Sequence, residues 1–103
     1  EMGRVEELVT EELQRYLAVA SAREVAPLVG SLHERGEAGR RAEVARHAAR
    51  LGALDERQRE AVEALTRGIV AKLLHDPTVQ IKGAAGTPKG NRLAEAVRDL
   101  FDL

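Results

Sequence analysis

Residues 55–77 read DERQREAVEALTRGIVAKLLHDP, and the apolar positions Val62, Leu65, Ile69, Val70, Leu73 and Leu74 are separated by 3, 4, 1, 3 and 1 places. That spacing keeps them on one stripe of a helix with 3.6 residues per turn. Leu51, Gly52, Ala53 and Leu54 supply a break before the pattern, and Asp55 can then cap it by accepting the backbone amide of Gln58. His75, Asp76 and Pro77 predict its end, because proline donates no backbone hydrogen bond and restricts the residue before it. On this reading His75 faces the negative end of the helix dipole, which is worth about 0.3 to 1 kcal/mol to a cationic imidazole.

Upstream, Val5, Leu8, Val9, Leu13, Tyr16 and Leu17 form another helical stripe. No Ser, Thr, Asp or Asn precedes it, so it reads as starting inside a longer helix. Ser21-Ala-Arg-Glu24 has the form of a capping box, which would open a second helix. The alternative is one continuous helix bent at Pro27. Beyond it Leu28, Leu32, Ala38, Ala42, Ala45 and Ala49 keep near-helical spacing, while Gly36 and Gly39 each cost about 1 kcal/mol relative to alanine.

Downstream, Thr78 to Lys82 is a short β-branched piece leading into Gly83, Gly86, Thr87, Pro88 and Gly90, which reads as a loop. Asn91 can cap a last helix with Leu93, Val97, Leu100 and Phe101 on its apolar face. The expectation is a single all-α domain over residues 1–103. Residues 1–20 form the end of a long helix, 21–77 a helical core, 78–90 a loop and 91–103 a C-terminal helix.

Composition agrees with three to four helices. Of 103 residues, 44% are hydrophobic and 32% charged, which suits a folded chain rather than a disordered one. Tyr16 and Phe101 are the only aromatics, so the core must come from aliphatic side chains that bury less area apiece. The absence of cysteine excludes disulfides, thiolate metal sites and a cysteine nucleophile within these residues. No apolar run nears the roughly 20 residues that cross a bilayer, and Glu1, Glu6 and Glu7 are unlike a targeting peptide, so the cytoplasm is expected. A net charge of -1 demands no nucleic acid.

Chemical constellations are scarce. His33, His47 and His75 show no ligand spacing, so no metal is expected. The run Gly83-Ala-Ala-Gly-Thr-Pro-Lys-Gly90 lacks the preceding strand and the Gly-Lys-Ser/Thr order of a phosphate loop. Paired carboxylates such as Glu11 and Glu12 read as a solvated face. Arg40, Arg41, Arg46 and Arg50 form a basic cluster around Glu43, with RNA phosphate as one conceivable contact, although no aromatic is interleaved to stack a base and a solvated helix face is the plainer reading.

What remains is packing. Helices this short have more apolar stripe than they can cover alone, so they pair with each other in a monomeric bundle or with a second copy in a helical-bundle dimer. Leu8, Leu13, Tyr16, Leu17, Leu28, Leu32, Val62, Leu65, Ile69, Val70, Leu73 and Leu74 are the candidates for that core or interface. The sequence does not divide the two roles.

The run from Ile69 to Pro77, continued by Ile81 and Lys82, resembles the signature of the dimerisation domain of glutamyl-tRNA reductases, an Asn-Lys-Leu-Leu-His-x-Pro block followed by Leu-Lys. The resemblance extends to Tyr16, to Val25-Ala-Pro27, to Leu28 through Leu32, to Glu43 and Val44, and to the Leu-Phe-x-Leu ending at Leu103. Ala71 departs from it, standing where relatives carry Asn, as do Gly36 and Gly39 within a long helix. The resemblance implies a V-shaped homodimer strung along a spinal helix, with residues 1–20 at that helix's end. It also implies a parent enzyme that forms a thioester on a cysteine from glutamyl-tRNA(Glu) and reduces it with NADPH to glutamate-1-semialdehyde, on the route to tetrapyrroles and haem. The catalytic cysteine and the NADPH-binding fold would lie outside these residues, leaving this part non-catalytic and without a cofactor of its own.

Overall fold

A computed structural model describes the backbone of residues 2–103 and the side chains of residues 8–15 and 25–103. The elements are α1 (Met2–Arg46), α2 (Ala48–Leu51), α3 (Glu56–Gly83) and α4 (Pro88–Phe101). The all-α expectation holds: no strand occurs among the described residues.

α1 passes Ser21 and Pro27 without a break, so the continuous helix is the alternative realised. A proline inside a helix costs about 3 kcal/mol. Directly after it Leu28 and Leu32 are buried, each worth roughly 1.5 to 3 kcal/mol relative to exposure, so packing outweighs the local penalty. α1 also continues through Gly36 and Gly39, and turns at His47 into the single turn of α2.

α3 begins as expected. The Gln58 amide donates to Asp55 Oδ1 at 2.8 Å and the Asp55 amide donates to Gln58 Oε1 at 3.1 Å, a reciprocal cap. Its end is not where Pro77 suggested, because the helix runs on to Gly83. Residues 78–83 are therefore helix rather than loop, and His75 is exposed in mid-helix rather than at the dipole's negative end. The cause is tertiary. Ile81, one turn beyond Pro77, is among the most deeply buried side chains and joins Leu28, Leu32 and Leu74 in the core.

The connection to α4 shrinks to residues 84–87. Gly86 has φ 81°, a left-handed conformation that glycine adopts without strain. Thr87, not Asn91, caps α4: its hydroxyl accepts the Gly90 amide at 3.0 Å, and Pro88 follows at the first turn, where its missing N–H costs nothing. Gly90 is buried against the end of α3, and a Cβ there would sit 1.9 Å from the Ala84 carbonyl oxygen. Val25, Val29, Val70, Ala94 and Val97 close around the core, so α4 lies across α1 and α3.

The result is long and thin, with extents of 75 × 28 × 16 Å and a radius of gyration of 20.3 Å. A compact chain of about 100 residues has a radius of gyration near 13 Å. A 16 Å depth is little more than one helix, whose diameter with side chains is about 10 to 12 Å, so most apolar side chains have only one layer to pack against.

Candidate functional site

The structure divides the apolar stripes into buried and exposed positions. Leu28, Leu32 and Leu74 are core, joined by Ile81 from the segment whose composition reads as a loop. Val62 and Val70 are half-buried. Leu65, Ile69 and Leu73 are 64%, 51% and 70% exposed, as are Leu8 and Leu13 to a similar degree on α1. The side chains of Tyr16 and Leu17 lie outside the described residues.

Of the exposed α3 residues, Ile69 lines a groove. Between the end of α1, α2 and α3 lies a concavity of about 450 Å³ whose exposed surface is almost entirely carbon, with Val44, Leu51, Val62, Ile69 and Val70 in its walls. Arg40, Glu43, His47, Arg50 and Thr66 complete its lining. The groove exists because Thr66 and Val70 turn toward α1 while Leu65 and Leu73 point away, one face of the same amphipathic helix grading into the next.

The four arginines do not form a free cationic patch. Arg40 is buried and donates from Nε and Nη2 to the Glu37 carboxylate at 2.8 and 2.6 Å, and from Nη1 to Glu63 Oε2 at 2.6 Å. Thr66 Oγ1 lies 3.4 Å from the same Nη1. Arg41 shares Glu37 at 3.1 Å, and Arg46 is bound to Glu43. Among the described residues Arg50 alone of the four has no such partner. Hydrogen bonding from Arg40, with its charge and that of Arg41, holds the Glu37 carboxyl down at about 2, against an ordinary 4.5. Hydrogen bonds to Glu37 and Glu63 hold the Arg40 guanidinium above its usual range. Arg46 lowers Glu43 in the same way, chiefly by hydrogen bonding. Glu37 lies three places before Arg40 and four before Arg41, a helical pairing present in the sequence, whereas Glu63 is brought in only by the α1 and α3 crossing.

Among the described residues no group of His, Asp or Glu could hold a metal ion, and no helix is long and apolar enough to cross a membrane. A groove with an apolar ridge along its edge, on a protomer two helices wide, is the architecture of a helical association domain. The chain belongs to the glutamyl-tRNA(Glu) reductase dimerisation-domain family, whose model matches residues 4–103. It is 41% identical over 103 residues to a glutamyl-tRNA reductase of Thermobifida fusca, covering 100% of this chain and 22% of that protein. It is 42% identical over 97 residues to one of Myxococcus xanthus, covering 93% and 22%. With one of Frankia alni it shares 43% over 99 residues, covering 96% and 21%. The chain thus spans about a fifth of the length of these curated relatives. No solved structure matches it.

Proposed function

We propose that this chain joins two copies of a glutamyl-tRNA reductase, the enzyme that reduces glutamyl-tRNA(Glu) to glutamate-1-semialdehyde with NADPH, and that it works in the cytoplasm. The observation that carries the reading is the open ridge of Leu65, Ile69 and Leu73 beside a carbon-lined groove. Covering such a surface is favourable at about 25 cal/mol per Å² of apolar area removed from water, and a second copy offers a matching surface. Dimerisation would fix the angle between the enzyme's arms and so the space open to tRNA. Catalysis and NADPH binding belong to parts of the enzyme outside these residues.

The competing reading, a tRNA-contacting module built on Arg40, Arg41, Arg46 and Arg50, draws on charges that Glu37, Glu43 and Glu63 already engage. The test is the turnover of full-length enzyme with Leu73→Glu on its tRNA substrate. A monomeric variant with much reduced turnover is expected. A monomer as active as wild type would leave the dimer without a catalytic purpose.

A further inference from the structure

The exposed face of α3 has an internal symmetry about Ile69. Leu65 and Leu73 lie four residues either side of Ile69, and Val62 and Asp76 lie seven either side. Seven residues are close to two full turns, so Val62, Ile69 and Asp76 run along nearly one line, about 10 Å apart, with Leu65 and Leu73 flanking it. In an antiparallel two-fold contact each residue before the axis meets its counterpart after it on the other copy. With the axis at Ile69, Leu65 meets Leu73 and Val62 meets Asp76.

The second pairing is decided by charge. Val62 shares the groove with Arg50. Arg50 and Asp76 are both exposed, and neither side chain has a hydrogen bond or ion pair among the described residues. Antiparallel helices deliver the Asp76 carboxylate of one copy to the Arg50 guanidinium of the other, twice per dimer. Parallel helices would set Asp76 level with Asp76 and leave both Arg50 side chains unpaired, an unfavourable meeting of like charges.

Resting on the dimerisation reading above, we propose that two copies pack α3 against α3 in antiparallel register with Ile69 at the two-fold axis. Leu65 and Leu73 of each copy then seat in and beside the groove of the other, and Arg50 pairs with Asp76 across the interface.

Charge reversal in the 103-residue chain, read by sedimentation equilibrium with helicity checked by circular dichroism, tests the register. Arg50→Asp and Asp76→Arg should each raise the dimer Kd about tenfold or more, and the double variant should return it to within about threefold of wild type. If a reversal disturbs the helices, Arg50→Gln and Asp76→Asn give the same cycle, with the double no weaker than either single. Because the chain has no cysteine, Ile69→Cys should crosslink to its own counterpart on mild oxidation. Wild-type dimers whose singles are unaffected, whose double is weaker than either single, or whose Ile69→Cys form stays uncrosslinked would overturn the register and leave dimerisation standing. A wild-type chain that remains monomeric would overturn both.

Discussion

Gly36 on α1 and Leu74 on α3 meet so closely that a Cβ at Gly36 would stand 2.8 Å from Leu74 Cδ1 and 3.0 Å from Val70 Cγ1. This is where the two long helices cross, and the missing side chain sets their separation. Gly39, one turn on, has nothing within 4 Å of the same position. Gly39→Ala should therefore stabilise the chain by about 0.5 to 1 kcal/mol through helix propensity alone. Gly36→Ala gains the same propensity, but it presses on a leucine that is itself buried, and overpacking costs about 1 to 3 kcal/mol. Thermal melts should place Gly39→Ala above wild type and Gly36→Ala below it; the reverse order would mean that the helices do not cross at Gly36.

Arg40 is a buried cation whose two carboxylate partners are both partly open to water. Removing the carboxylates strands the guanidinium, whereas removing the guanidinium leaves two carboxylates that solvent can reach. The variant carrying both Glu37→Gln and Glu63→Gln should be destabilised more than Arg40→Met, which keeps the aliphatic stem packed between the helices. Urea titrations rank the two, and an Arg40→Met chain less stable than the double variant would contradict this placement of charge.

The same cluster sets an acid limit. Because the Glu37 carboxyl sits at about 2 when folded and near 4.5 when free, the folded chain binds that proton more weakly than the unfolded chain does. The stabilisation is complete above about pH 4.5 and fades as pH falls toward 2. Glu43, lowered by Arg46, adds in the same direction. Unfolding free energy measured from pH 6 to 2 should fall in that window, and Glu37→Gln should flatten the slope. A slope unchanged by that substitution would remove Glu37 as a source.

Leu73 and Leu74 are neighbours in opposite surroundings, the first 70% exposed and the second 7%. Leu74→Ala should cost the protomer about 2 to 5 kcal/mol through the cavity it opens. Leu73→Glu should leave the helix content intact and abolish self-association, since it places a charge in the middle of an apolar contact. Loss of helicity in Leu73→Glu, or dimers that survive it, would contradict the division of roles.

The division between these two leucines was not legible in the sequence, where both belong to one stripe. A stripe wide enough for two partners looks the same whether both are in one chain or in two. The cap at Asp55 and the period of α3 were legible because they depend on residues within four positions of each other. Pro77 misled for the opposite reason: the local signal to stop is real, but burial of Ile81 against α1 overrides it. Gly86 and Gly90 read as loop by composition, while the structure uses one for a left-handed turn and the other for contact with the Ala84 carbonyl. In the arginine cluster the pairings of Glu37 with Arg40 and Arg41 and of Glu43 with Arg46 were legible at helical spacing, whereas Glu63, the second partner of Arg40, is 23 residues away in the chain.

Sedimentation equilibrium of the unmodified 103-residue chain, from low to high micromolar concentration, reaches the central claim without any substitution. A mass converging on twice the 11.2 kDa protomer is the expected result. A single folded species at the protomer mass throughout would mean that the ridge and groove of α3 stay open in water and that joining two copies is not their purpose.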